Sequence, residues 1–448
     1  MTFHRPLSQS STDHARLRLE ALPLSRLHVA IIALCAIGFG IDLSETILGG
    51  VLSSVFTAPP HSLPSSQVGW LVASVYLGAV VGAPTLGRLA DRIGQARALA
   101  LTMVWLGVTS LLAVATRTPL ELGLARFVSG VSLGAFPPLM IAFIANVAPT
   151  GRRGLMTLLI CCLAFLLPPA AVFGVRAIGH ATPLGLEGWR WPFLIAGLAS
   201  LVVALGFRWA PEAPAWLLAK GWTGAFDLAC TRFERSKHVL NPVQARLEEV
   251  HDQPLDTPGL GRIRLGFVTG LYFLNPWFTV AFPMLTGPIL LARGYKLADA
   301  LLYVGLATFG PSVATLATAG VADRFSRRSA LVFCALAMCA AVGLFNWGSS
   351  AIALGAAVIA FGLFSNLIMP ALTIFGAEQF PEQIRSSATS LAWSANRLAA
   401  AAAPMVLLPV LKAGGAAQVL AIIILALLLT IVLVVAYRPW MRRAPSAA

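Results

Sequence analysis

Asp42 and Glu45 lie near the middle of a long apolar stretch, in Gly38-Phe-Gly-Ile-Asp42-Leu-Ser-Glu45-Thr, and Arg126 lies inside another. Residues three apart share one face of a helix, so the two carboxyl groups point the same way. If these stretches cross a membrane, each mid-membrane carboxylate costs at least ~2.5–3.5 kcal/mol on insertion scales and must face a cavity or a partner. Two neighbouring acids within reach of a cation can hold a proton in one arrangement and release it in another, which is what proton coupling needs. Arg126 is the candidate cation: it can pair with a first-helix carboxylate and exchange it on protonation. The bland alternatives are that one acid only neutralises a cation, and that Arg126 snorkels to the interface. Tyr76, Asn275, Trp277 and Asn366 are polar or aromatic groups inside other apolar stretches. They are candidates for solute contact, together with Asp42; for these four, helix-to-helix hydrogen bonding or core packing is the competing reading.

The elements that must position these residues are membrane spans. Of 448 residues, 58% are hydrophobic and 11% charged, and mean hydropathy is +0.81; an ordinary soluble domain has roughly 25% charged residues. One soluble core cannot hide so much apolar surface, so lipid is the expected solvent for many side chains. The net charge of +14 does not point to nucleic acid, because the basic residues cluster in short loops between apolar runs. The six cysteines fall mostly inside those runs without metal-ligand spacing, and are expected to be buried free thiols.

Twelve runs are long enough to span. They cover 27–56, 67–87, 97–115, 121–146, 154–176 and 190–210, then 265–291, 299–320, 329–347, 351–376, 387–411 and 417–436. The fold class expected is therefore all-α, integral to the membrane. Two further motifs make it a tandem repeat. Asp91-Arg92 recurs as Asp323-Arg324, and Asn146-x-x-Pro149-x-x-x-Arg153 recurs as Glu378-x-x-Pro381-x-x-x-Arg385, both at one and the same offset along the chain. The organisation expected is a tail (1–26), a six-helix bundle (27–210), a linker (211–264), a second bundle (265–437) and a tail (438–448). Short amphipathic helices are expected in the linker at 226–233 and 243–250. No cleavable signal peptide is expected before residue 27. Arg88, Arg92, Arg97, Arg152, Arg153, Arg327, Arg328 and Arg385 fall on the side of the termini and linker, which places that side in the cytoplasm.

A second group of residues reads as a cytoplasmic gate. In Gly87-Arg-Leu-Ala-Asp91-Arg92-Ile-Gly94-Gln-Ala-Arg97, a short loop would need glycine where the backbone turns. Asp91 could accept hydrogen bonds at a helix N-terminus and pair with an arginine, forming a charged latch that holds one conformation and releases in another. Arg153, Asp323, Arg324, Glu378 and Arg385 extend the latch; Arg397 could bind an anion, but a gate salt bridge with Glu378 is the reading preferred. The plainer reading is a basic loop that only sets topology.

The pattern Gly87-x-x-x-Asp91-Arg92-x-Gly94-x-x-Arg97 resembles the signature between helices two and three of the major facilitator superfamily. Arg126-Phe-Val-Ser-Gly130-Val-Ser-Leu-Gly134 is similar to its fourth-helix pattern. Gly188-Trp189-Arg190-Trp191-Pro192-Phe193 and Pro211-Glu212-Ala213-Pro214-x-Trp216-Leu217 are similar to the sixth-helix entry and exit of its sugar-porter and organic-anion branches. Glu378-Gln-Phe-Pro381-x-x-x-Arg385 and Asn396-Arg397 match tenth- and eleventh-helix patterns. The resemblance implies two six-helix bundles around a site reached alternately from each side, and Asp42 falls where the family places a first-helix acid. Several departures point away from hexose carriers. Asn146 stands where a glutamate is usual, Ala215 replaces an arginine, and Tyr272-Phe-Leu-Asn275-Pro276-Trp277 replaces paired glutamines. The metabolite and aromatic-acid proton symporters look nearer.

The expected function is proton-coupled uptake of a small organic solute across a bacterial inner membrane, with no cofactor, by a chain functional as a monomer. Its partners are the solute, protons and the lipid bilayer. The competing readings are a sugar or drug transporter of the same fold and a membrane sensor that does not transport. No Walker loop, HExxH or GxSxG motif supports an enzyme.

Overall fold

The computed structural model describes residues 18, 24–148, 152–179, 181–236, 238–240, 258–318, 326–348, 350–380 and 382–436. The first half supplies α1 (Arg26–Thr57), α2 (Ser65–Ile93), α3 (Gln95–Ala115), α4 (Pro119–Val147), α5 (Arg153–Ala164 continuing as Leu167–Ile178) and α6 (Arg190–Trp209). The linker holds α7 (Pro214–Ala219) and α8 (Thr223–Arg235). The second half begins with α9, broken into Pro258–Leu274, Pro276–Thr279 and Ala281–Ala292. It continues with α10 (Leu297–Ala307 and Phe309–Thr318), α11 (Arg327–Trp347), α12 (Ala351–Ala377) and α13 (Glu382–Ala436). The helix α13 holds the last two spans: Gly415 takes φ 76°, open to glycine but strained for a side chain, and divides its two legs. Over its described residues, each of the twelve expected spans falls on one of these helices. Among the described residues, ten helices are long and apolar enough to cross a membrane by themselves.

In lipid, backbone groups must be satisfied within the helix, so long helices are the form available to such runs. The outward faces carry exposed aliphatic and aromatic side chains, among them Leu112, Ile195, Val202, Phe333 and Val432. Lipid covers such side chains as well as protein would, so the helices pack instead through small residues. At the crossing of α2 and α4, a Cβ on Gly78 would lie 2.0 Å from the Phe127 carbonyl oxygen, and one on Gly130 2.1 Å from that of Val75. The crossing of α10 and α12 repeats this design. A Cβ on Gly310 would stand 2.3 Å from the Leu363 nitrogen, and one on Gly362 2.3 Å from the Ala307 oxygen. Gly310 and Gly362 follow Gly78 and Gly130 at the same offset that separates the two Asp-Arg motifs. The tandem repeat is therefore a repeat of packing as well as of sequence.

The bundle has a terminal face, where α1 starts and α13 ends, and a remote face with the turns after α1, α5 and α9. The tight approaches between the halves lie toward the remote face. Ser53 Oγ donates to the Met284 carbonyl (2.8 Å), and Arg176 Nε donates to that of Ala298 (2.9 Å). A Cβ on Gly50 would touch the backbone of Met284, and one on Gly69 that of Met405.

At the terminal face the N-terminal segment is strapped to the linker. β1 (Leu24–Ser25) pairs antiparallel with β2 (His238–Leu240). Arg18 donates to Glu234 Oε1 (2.8 Å) and Oε2 (3.0 Å) and to Asp227 Oδ1 (2.7 Å), all on α8. The amphipathic helix expected at 226–233 is the core of α8; the one expected at 243–250 lies outside the described residues. Phe233 stacks on His28 of α1 at 4.5 Å, and Cys230 is fully buried beside it. The hydrogen bond from Arg18 holds the Glu234 carboxyl below the usual carboxylate range, and burial pushes the Cys230 thiol up to about 11. Only the thiolate attacks electrophiles. Maleimide modification at Cys230, read by peptide mapping, is therefore expected to be slow at neutral pH and to climb as pH approaches 11. Arg18→Ala should accelerate it at neutral pH by loosening the strap. Equal rates in the two proteins would show that the strap does not hold Cys230 in.

Candidate transport site

The centre of the first bundle is a sealed ion pair. α1 brings Glu45 to mid-span because Gly38 and Gly40 let it lie against α4 and α5; a Cβ on Gly38 would come 2.6 Å from the Phe136 ring, and one on Gly40 2.9 Å from the Ala164 carbonyl. α4 brings Arg126, whose side chain is wholly inaccessible. Arg126 Nη1 donates to Glu45 Oε2 at 3.1 Å, and Nη2 to the Glu45 backbone carbonyl at 3.0 Å. Ser110 of α3 donates to the other carboxylate oxygen, Oε1, at 2.5 Å. The guanidinium lies over the Phe193 ring of α6 at 5.4 Å. Four helices thus converge on the ion pair. Sequence reasoning singles out neither Ser110 nor Phe193; Phe193 lies within the Gly188–Phe193 motif, while nothing marks Ser110.

Asp42, one turn earlier, does not take Arg126. It is 4% exposed, and its Oδ1 is buried without a hydrogen-bond partner. The cation whose charge acts on it is Arg397, from the first leg of α13 in the other half, and the two form no ion pair. Arg397 is partly accessible and lies over the Trp393 ring at 5.6 Å. The expected bridge from Arg397 to Glu378 is not formed. Glu378 sits at the exposed end of α12, 4.0 Å from Arg327, while Arg397 lies deep within α13. Asp42 and Glu45, neighbours on α1, therefore have different surroundings: Glu45 is paired with Arg126, and Asp42 is not.

The other candidate contacts are dispersed. Asn275 is buried at the break in α9, its Oδ1 accepting from Thr279 Oγ1 (3.0 Å) and its Nδ2 unpartnered. Trp277, in the same break, is half-buried. Asn366 Nδ2 donates to the Pro311 carbonyl at 3.3 Å, so this side chain joins α12 to α10.

The gate departs from expectation in one respect. Gly87 to Arg92 are helical, because α2 runs on to Ile93 and only Gly94, at φ 105°, ends it. Asp91 is thus on the last turns of a helix rather than at an N-terminus, exposed with Arg92, and makes no hydrogen bond or ion pair with a described residue. Gly94 instead makes room for Glu212 of the Pro-Glu-Ala-Pro element: a Cβ there would sit 2.2 Å from Glu212 Oε2. Glu212 Oε1 accepts from the backbone N–H of Ala96 (2.8 Å) at the start of α3, an acid where the helix dipole favours one. Beside it Asn146 Nδ2 donates to Gln95 Oε1 at 3.0 Å, a neutral pair. Arg97 and Arg153 are exposed. Asp323 and Arg324 lie outside the described residues, as does the side chain of Arg385.

Residues 34–404 match the Major Facilitator Superfamily. The chain belongs to that superfamily, whose members are membrane transporters. It is 26% identical to the inner membrane metabolite transport protein YgcS of Escherichia coli (strain K12) over 403 residues, 88% of this chain and 87% of that protein. It is 23% identical to the niacin transporter NiaP of Acinetobacter baylyi over 409 residues, 87% and 89% of the two chains. Among solved structures, the xylose transporter XylE from E. coli in a partially occluded inward open conformation aligns with a TM-score of 0.72 at 18% identity. That alignment covers 93% of this chain and 98% of the other. The protein is a multi-pass membrane transporter, not an enzyme.

Proposed function

We propose that this protein takes up a small organic solute together with protons, by alternating access, across a bacterial inner membrane. An organic or aromatic acid or a related metabolite is the solute class favoured. The observation that carries the reading is the Glu45–Arg126 pair, sealed at mid-span by Ser110 and Phe193. At the repeat offset its counterparts are Trp277 and Val358, so the second bundle carries no such pair at the matching positions. A buried pair without that duplicate fits a coupling device: a proton on Glu45 releases Arg126, and its departure restores the pair. Asp42 adds a second acid on the same face. The arginines at 88, 92, 97, 152 and 153 on the terminal face support a cytoplasmic placement of the termini.

The remaining roles follow from position. Tyr76, Asn275, Trp277 and Asn366 contribute to the solute's surroundings. The cytoplasmic gate comprises the Gly87–Arg97 segment with Glu212, Arg153 and, from the second half, Asp323, Arg324, Glu378 and Arg385. The relatives named for metabolite and niacin transport favour a small organic solute; a sugar is the second reading, supported by likeness of fold to a xylose transporter.

The test is solute-induced pH change in proteoliposomes, across aromatic acids, other carboxylates and sugars. External alkalinisation with one class, abolished by a protonophore, is the expected result. Uptake indifferent to the protonophore would make the protein a facilitator, and binding without accumulation would make it a sensor.

A further inference from the structure

We infer that a cavity at the remote face, walled by both halves, is a binding site for a small amphipathic monoanion whose occupancy holds that face shut. The binding stands apart from the transport reading above; the hold on the remote face rests on it. The cavity measures about 220 Å³. An engineered cavity of roughly 150 Å³ in another protein holds benzene, so there is room here for a ring with a charged substituent. The turn after α1 supplies His61, the end of α5 supplies Arg176, and the segment before α6 supplies Glu187 and Trp189. The facing wall is the start of α10, with Leu297, Ala298 and Leu301 from the second half.

The acid of this cavity is already partnered. Glu187 Oε2 accepts from Trp189 Nε1 and stands 3.7 Å from Arg190 Nε, while Oε1 stands 3.8 Å from His61 Nε2. Phe56 packs on the His61 ring at 4.8 Å and on the Trp189 ring at 5.3 Å, which steadies that wall. Arg176 is different. Its Nε donates to the Ala298 carbonyl at 2.9 Å, across the halves, and its Nη groups make no hydrogen bond or ion pair with a described residue. A guanidinium with donors to spare, beside apolar walls of Val55, Val175 and Leu301, suits an anion with an apolar body. At the repeat offset Arg176 falls on Leu408 and Glu187 on Val419, so neither charge belongs to the packing that the halves share. A ligand seated here touches both halves and loses one wall when they part. It therefore favours the shut state, and a ligand shifts an equilibrium by that preference.

The probe is benzenesulfonate, with benzenesulfonamide as its uncharged counterpart. Full-length protein in nanodiscs, read by intrinsic tryptophan fluorescence, should bind the sulfonate about 10- to 100-fold more tightly, the worth of a charge-assisted hydrogen bond. Arg176→Gln should remove that difference, and Arg176→Lys should keep part of it, which separates lost charge from misfolding. Closure is read through Ser53→Cys. Ser53 is wholly buried between the halves, its Oγ donating to the Met284 carbonyl, so an impermeant thiol reagent reaches a cysteine there only when the halves part. With reagent and sulfonate both outside membrane vesicles, peptide mapping at position 53 should show labelling slowed several-fold at saturation. Adding Arg176→Gln should abolish the slowing. The site is overturned if the sulfonate does not bind, if the sulfonamide binds alike, or if Arg176→Gln binds the sulfonate as wild type does. Labelling that bound sulfonate leaves unchanged overturns its hold on the remote face. A cysteine at position 53 that is never labelled, even without sulfonate, would instead sink alternating access and leave the binding result standing.

Discussion

Glu45→Ala is expected to abolish solute accumulation and to destabilise the protein by roughly 3–5 kcal/mol, the range for removing one partner of a buried ion pair. The variant leaves the Arg126 guanidinium wholly inaccessible with no counter-charge, keeping only the Glu45 backbone carbonyl and the Phe193 ring. It also strips the Ser110 hydroxyl of its acceptor. Replacing both partners by apolar residues removes the uncompensated charge, so Glu45→Leu combined with Arg126→Met should regain most of the thermal stability. It should not regain accumulation. Thermal unfolding in detergent and concentrative uptake in vesicles separate the two effects. A single variant as stable as wild type would mean that water reaches the pair. A double variant that accumulates solute would remove Glu45 and Arg126 from the coupling step.

Gly82→Val is expected to prevent the first bundle from assembling. A Cβ at Gly82 would lie 1.9 Å from the Val131 carbonyl oxygen and 2.7 Å from its Cα. Those are backbone atoms of α4, so no rotamer change relieves the overlap and the helices must part. Overpacking in cores costs about 1–3 kcal/mol and occasionally more; contact with a neighbouring helix backbone belongs at or beyond the upper end. The loss would show as aggregation on size-exclusion chromatography after extraction. Gly310→Val should behave alike, because that glycine meets the Leu363 backbone in the repeated crossing. Gly87→Ala is the control. It lies on the same helix as Gly82 with nothing within 4 Å of its added Cβ, and should be neutral or slightly stabilising. A monodisperse, fully stable Gly82→Val protein would refute the packing argument.

Much of this molecule can be read from its residues alone. Hydropathy sets where a chain enters lipid, and it needs no knowledge of neighbours, so the twelve apolar runs coincide with helices of the structure. The common offset of two motifs implies a repeat, and the glycines at 78, 130, 310 and 362 show the same repeat in packing. The cost of a charge in lipid is enough to single out Asp42, Glu45 and Arg126. The run from Gly87 to Arg92 reads as loop because charge and glycine mark turns in water, whereas here nothing stops the helix before Gly94.

Partner choice was decided only in three dimensions. Asp42 and Glu45 share a helix face, but three residues separate them by about 4.5 Å along the axis and roughly 60° around it. That difference gives Glu45 to Arg126 inside the first bundle and leaves Asp42 Oδ1 buried without a hydrogen bond. Arg397 could have met Glu378 at the terminal face; instead it lies well inside α13 over the Trp393 ring, while Glu378 stands beside Arg327. Depth and rotation of one helix against another depend on every contact between them, and no local pattern in the chain encodes them.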